Sequence, residues 1–162
     1  MKMKKLMILL LMAVCVLGLS GCTHSMATFM AESYNDPEFL SEMRYYHKLR
    51  EKLMPYILKT AKECVAGSKP MMRPLVYTYP TDKRAVLCED EYLFGDELLV
   101  APLLTENASY RRVYLPCGSW ISLFTGKKYD GKNEYTVDAN GRIPVFYKEN
   151  HSEEIEKFVR SV

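Results

Sequence analysis

The 162-residue sequence is poor in the residues that most catalytic centres are built from, and each shortage excludes something. Its three histidines, His24, His47 and His151, stand too far apart to form a metal-ligand spacing. Its five cysteines include no CxxC and no clustered His/Cys pattern, so neither a metal site nor any other cofactor is expected. There is no GxSxG elbow, and Gly126-Lys127-Lys128 lacks the preceding glycines of a phosphate loop. No acidic loop of EF-hand spacing occurs. A basic excess is also missing. The formal charge is +2, and loss of residues 1–21 with Lys2, Lys4 and Lys5 leaves 19 − 20 = −1. A chain without a basic field is not expected to bind nucleic acid. No internal repeat or low-complexity tract is visible.

What is present begins with the amino terminus. Met1–Lys5 carries three lysines, and residues 6–17 (LMILLLMAVCVL) carry no charge. That is an export-signal pattern. The apolar run would be roughly 18 Å long as a helix, short of the roughly 20 residues that span a bilayer. Leu19-Ser20-Gly21-Cys22 follows, and it resembles the bacterial lipobox, in which the cysteine is acylated and the chain is cut before it. The expectation is a signal peptide over 1–21, a lipid on Cys22 and a short tether over 22–35. The implied partner is a membrane, and the implied place is the bacterial cell envelope outside the cytoplasm. One acyl chain holds a protein only reversibly, so acylation of the new amine matters too. Cys64, Cys88 and Cys117 remain, and three separate thiols are expected, although a disulfide is permitted in that compartment.

Beyond the tether, Asp36-Pro37 has the form of a helix cap and a first-turn proline. Phe39, Met43, Tyr46, Leu49, Leu53, Tyr56, Thr60 and Cys64 recur every three or four residues, with Leu40 and Ile57 widening the stripe. This predicts one long amphipathic helix ending at Gly67, with Pro55 kinking or dividing it near residues 52–54. Pro70–Tyr79 has a β-rich end. Residues 91–104 give two apolar runs broken by Gly95-Asp96. Short β-type runs at 111–115, 119–124, 133–137 and 143–147 alternate with turn glycines, which predicts an antiparallel, sandwich-like β domain. Residues 150–162 read as a helix with Asn150 or Ser152 as cap. The fold class expected is α+β, divided into 36–87, 88–149 and a carboxy-terminal helix. The long helix and lone strand have no evident layer of their own to pack on.

Candidates for chemistry are few. Glycoside hydrolysis needs two carboxyl groups on either side of a bond. Asp36, Asp82, Asp90, Asp96, Asp130 and Asp138 qualify by type only, and most lie in turn contexts where aspartate caps its own backbone. Trp120, the sole tryptophan, follows a turn glycine. It is a possible sugar-stacking platform, with a core plug as the preferred reading.

Five segments together carry a family resemblance. Tyr45–Tyr56 (YYHKLREKLMPY) resembles the "LRYRLLPYLY" helix of glycoside hydrolase family 31, and Lys69–Val76 (KPMMRPLV) is similar to its "LPVMRPLF". Tyr92–Leu103 (YLFGDELLVAPL) is similar to "YLFGDDLLVAPV". Arg111–Gly126 (RRVYLPCGSWISLFTG) resembles "RRVYLPAGTWYDFWTG", and Arg142–Phe146 (RIPVF) matches the motif that follows. The resemblance implies the end of a (β/α)8 barrel followed by a proximal β-sandwich. The long helix would be the last helical part of the barrel, Met71–Val76 its final strand, and Arg73 a structural arginine. The family consists mostly of retaining α-glycosidases acting on α-glucosides or α-xylosides, with a few lyases and transferases. Its catalytic aspartates lie on earlier barrel strands, which would precede Thr28, so no residue here inherits either role. The preferred expectation is a piece of such an enzyme, inactive alone. The alternatives are a split enzyme completed by a partner chain, and a glycan-binding module using Trp120.

Overall fold

The computed structural model describes residues 37–105, 108–139 and 142–162. The signal segment, Cys22, the tether and Asp36 lie outside the described residues. The chain divides into two compact units, Met1–Met54 and Pro55–Val162.

Helix α1 (Pro37–Gly67) is a single helix, as its apolar period requires. Pro55 lies inside it and does not end it, so of the kink or division expected there the division is absent; the proline costs one hydrogen bond, to the carbonyl one turn back. The helix closes on Ser68, not Gly67, as the left-handed residue (φ +49°), and the Lys69 N–H returns to the Cys64 carbonyl at 3.0 Å. In the second unit Tyr56, Ile57 and Thr60 are buried. The carboxy-terminal part of the stripe therefore does have a layer beneath it.

The rest of the second unit is α+β. Strand β1 (Met72–Pro74) runs into two short helices, α2 (Leu75–Thr78) and α3 (Lys83–Val86). The strands that follow are β2 (Tyr92–Phe94), β3 (Leu98–Val100), β4 (Tyr110–Leu115), β5 (Ser119–Ser122), β6 (Lys128–Asp130), β7 (Asn133–Asp138) and β8 (Val145–Lys148), and helix α4 (Glu153–Ser161) trails them. Six strands form an open sheet in the order β1-β2-β3-β8-β5-β6, and β4 pairs with β7 in a separate ribbon. Every pairing is antiparallel.

The β1 strand is shorter than the 71–76 expected, because Leu75 turns inward and starts α2. It pairs antiparallel with β2 and forms one edge of the described sheet. The β5 strand stops at Ser122, where Gly126 (φ +68°) returns its N–H to the Ser122 carbonyl at 2.9 Å. The β6 strand was not anticipated: three residues between turn glycines are too few to show a period of two.

The two sheets share one core. Leu93, Leu99 and Phe146 lie in register across β2, β3 and β8. They cluster with Trp120 and with Val113, Leu115 and Val137 of the ribbon. Alternation puts Phe94, Leu98, Ile121 and Tyr147 on the opposite face, also buried. A sheet covered on both faces positions the polar groups described next.

Candidate functional site

Three polar clusters tie distant segments of the second unit together. The first joins α1 to the β2–β3 turn. Gly95 has φ +66°, which an L side chain rarely adopts. A Cβ there would overlap the Tyr56 hydroxyl and meet the Thr60 methyl at 3.0 Å. The closeness is used: the Tyr56 hydroxyl donates to the Phe94 carbonyl at 3.0 Å and accepts from the Glu97 N–H at 3.3 Å. Burial foremost pushes the Tyr56 phenol far above its ordinary value. Beside it Arg73, almost wholly buried, donates Nε to the Pro70 carbonyl at 2.8 Å and Nη1 to Asp96 Oδ1 at 2.5 Å. Burial opposes its charge, and the Asp96 ion pair outweighs that.

The second cluster holds α4. Ser152 is its N-cap, yet its hydroxyl does not cap the helix. Hydroxyl and N–H both donate to Glu97 Oε2, at 2.8 and 2.9 Å. Lys59 of α1 reaches Glu154 at 3.1 Å, and Ile155 and Phe158 are buried. His151 Nε2 lies 2.8 Å from Glu156, and Nδ1 lies 2.9 Å from the carbonyls of Lys148 and Glu149. Burial opposes the imidazolium, but Glu156 and those carbonyls hold its pKa above the ordinary value.

The third cluster lies between α3, β2 and the ribbon. Asp82 caps α3 by accepting from the N–H groups of Arg84 and Ala85, and also accepts the Tyr114 hydroxyl at 2.7 Å. That phenolic bond first, with the cap, holds the Asp82 carboxyl below its ordinary range. Glu91 is 5% exposed, and its Oε1 accepts the Tyr114 N–H at 2.8 Å. Its Oε2 is buried and has no hydrogen-bond partner among the described residues. Burial drives the Glu91 carboxyl up to about 7, against the bond from Tyr114. Cys88 Sγ lies 3.7 Å from Asp90 Oδ1, and burial followed by the charge of Glu91 lifts its thiol to about 12. Arg111 donates Nη2 to the Asp90 carbonyl at 2.7 Å and pairs with Asp90 Oδ2 at 2.8 Å. Asp90, Tyr110, Arg111 and Arg112 also line a shallow pocket.

The sequence candidates are scattered among these clusters. Asp82, Asp90 and Asp96 serve a cap, an arginine and an arginine. Trp120 is fully buried in the core, and its indole N–H donates to the Pro116 carbonyl at 2.9 Å, so it offers no open face to a sugar. Cys64, Cys88 and Cys117 are free thiols. Cys22 lies outside the described residues. Glu91 follows Glu89-Asp90 and Tyr56 belongs to the apolar stripe of α1, and neither position shows in sequence the hydrogen bonds it makes.

The clusters fall largely within residues 68–151, which match the sequence model of the glycosyl hydrolase family 31 C-terminal domain. A 1,3-alpha-isomaltosidase of Kribbella flavida is 36% identical over 99 residues, covering 61% of this chain and 14% of that protein. Alpha-glucosidase 2 of Bacillus thermoamyloliquefaciens is 31% identical over 108 residues, covering 66% of this chain and 14% of that one. A solved family 31 alpha-xylosidase from a soil metagenome, complexed with xylose, superposes with a TM-score of 0.72 at 34% identity, over 76% of this chain and 18% of that one. The chain thus spans 14% of the length of each of these two curated relatives.

Proposed function

The chain belongs to glycosyl hydrolase family 31, and on that premise we propose that it supplies the segment by which a family α-glycosidase joins its barrel to its C-terminal β domain, and does not hydrolyse glycosides by itself. The intact enzyme to which such a segment belongs acts on α-glucosides or α-xylosides, in keeping with the activities of the relatives above.

The observation that carries this reading is that the carboxylates of the three clusters are already engaged in holding the fold. Asp82 caps α3, Asp96 pairs with Arg73, Glu97 holds Ser152 and Glu91 holds Tyr114. Glycoside hydrolysis needs two carboxyl groups facing each other across an open cleft, about 5–10 Å apart. Among the residues lining the described pocket, Asp90 is the one carboxylate. The test is hydrolysis of p-nitrophenyl α-glucoside and α-xyloside by the purified chain. We expect no turnover above buffer. Turnover by the chain alone would refute the proposal.

The version in which a second polypeptide completes the barrel has its own support. Leu58, Val65, Val86 and Leu87 are apolar and exposed, Val65 by 84% and Leu87 by 75%. Leu58 and Val65 lie seven residues apart on one helix and Val86 adjoins Leu87, and exposed apolar residues that share a face mark an interaction surface. Turnover that appears on co-expression with a chain carrying the earlier barrel strands would select this version. No gain on co-expression would leave the chain as an inactive piece.

Acylation of Cys22, with attachment to the bacterial envelope, belongs to the same proposal and rests on the lipobox pattern. An alkyne-tagged fatty acid fed to cells is expected to label the chain, and Cys22→Ala is expected to lose the label and leave the membrane fraction. Labelling that persists in Cys22→Ala would overturn the anchor.

A further inference from the structure

We propose that Cys88, Asp90 and Glu91 form a binding site for a divalent cation of the zinc class. One ligand atom from each, the Cys88 sulfur and a carboxylate oxygen from each acid, lies within 4.8 Å of the other two. Ligands around one tetrahedral zinc at about 2.0–2.3 Å stand roughly 3.5 Å apart. The closure required is about an ångström, and Asp90, with a 45% exposed side chain held by Arg111 through one oxygen only, can bring the other closer.

A cluster of acids alone would mean little. The independent observation is Glu91 Oε2, buried on a residue only 5% exposed and unpartnered among the described residues. Buried carboxylate oxygens are ordinarily bonded, and one left over calls for a partner. Tyr114 already holds the other oxygen, so Oε2 has a fixed direction.

The neighbours sort themselves around that centre. Arg111 holds Asp90 Oδ2 and leaves Oδ1 on the Cys88 side, 3.7 Å from the sulfur. Fully ionised, the three ligands carry three negative charges against one on Arg111. The remaining two match a divalent ion. The donor set decides the class: magnesium and calcium take oxygen donors, whereas a thiolate selects zinc and its neighbours. Three protein ligands leave a fourth position for water, as in open zinc sites. Sequence spacing did not show this site, because Cys88, Asp90 and Glu91 match no family of metal motifs and the burial of Glu91 comes from the ribbon.

Cobalt(II) is the probe and zinc(II) the competitor, both on the full chain. One equivalent of cobalt should produce a saturable thiolate-to-cobalt charge-transfer absorption that zinc removes. Cys88→Ser should abolish the absorption, with the circular dichroism of the parent retained. Serine at Cys22, Cys64 or Cys117 should leave it. Glu91→Gln should weaken binding about tenfold or more. Asp90→Asn, which keeps the backbone carbonyl that Arg111 bonds, should weaken it as well and serves if Cys88→Ser does not fold. An absorption that never saturates, survives Cys88→Ser or vanishes with Cys117→Ser overturns the proposal. So does unchanged affinity in Asp90→Asn, which would leave a buried water as the partner of Glu91.

Discussion

Gly95→Ala should destabilise the second unit by about 3–5 kcal/mol, a large share of the roughly 5–15 kcal/mol that holds an ordinary domain. Two costs add. The backbone at φ +66° is strained for any L side chain, at about 1–2 kcal/mol. The new methyl also overlaps the Tyr56 hydroxyl, so the ring must withdraw. Withdrawal breaks the bonds to the Phe94 carbonyl and from the Glu97 N–H, each worth about 1 kcal/mol, and leaves buried groups unpaired. Tyr56→Phe alone should cost about 1–3 kcal/mol through the same two bonds. The double variant should cost less than the sum of the singles, by about 1 kcal/mol, because removing the hydroxyl makes room for the methyl. Urea midpoints of the four proteins measure this cycle. Simple additivity, or a Gly95→Ala variant within 1 kcal/mol of the parent, would show that the turn is not locked by Tyr56.

Trp120→Ala should cost about 3–5 kcal/mol, the range for deleting a large buried aromatic. Trp120 is among the largest fully buried side chains and pairs with Tyr129 and Lys148 on neighbouring strands. Its loss opens a void where the six-stranded sheet meets the ribbon, and strips the Pro116 carbonyl of its donor. Trp120→Phe keeps most of the volume and loses the N–H, so it should fall in between. Because Trp120 is the sole tryptophan, its fluorescence reports directly on this site. Emission should be that of a shielded indole and should shift to the red only as the chain unfolds. Titration with isomaltose should leave it unchanged. A sugar-dependent change in the folded protein, or a stable Trp120→Ala variant, would place the ring at the surface.

The placement of the secondary structure was legible because its causes are local. The repeat of Phe39 to Cys64 required an amphipathic helix, and Gly95-Asp96 marked a break between two apolar runs. Asn150 or Ser152 marked the start of α4, and Ser152 is its N-cap. The family likeness was legible too, since its motifs are contiguous strings. Helix α1 ends at Gly67 as that residue suggested, and it runs through Pro55 undivided. Elsewhere a longer-range contact prevailed. The β1 strand ended early because Leu75 found a place in the core.

The polar clusters were not legible at all. Nothing in YLFGDELL states that Gly95 must leave room for a tyrosine on the preceding helix. Nothing near Glu91 states that the N–H of Tyr114 will hold one oxygen and bury the other. Sequence by itself determined where α1, α4 and most of the strands lie and which family the motifs resemble, because periodicity, turns and motifs act over a few neighbouring residues. Only the tertiary structure decided what each polar group does. Whether a carboxylate is an exposed cap, an arginine's partner or a buried unpaired oxygen depends on segments that meet only when the sheets close on one another.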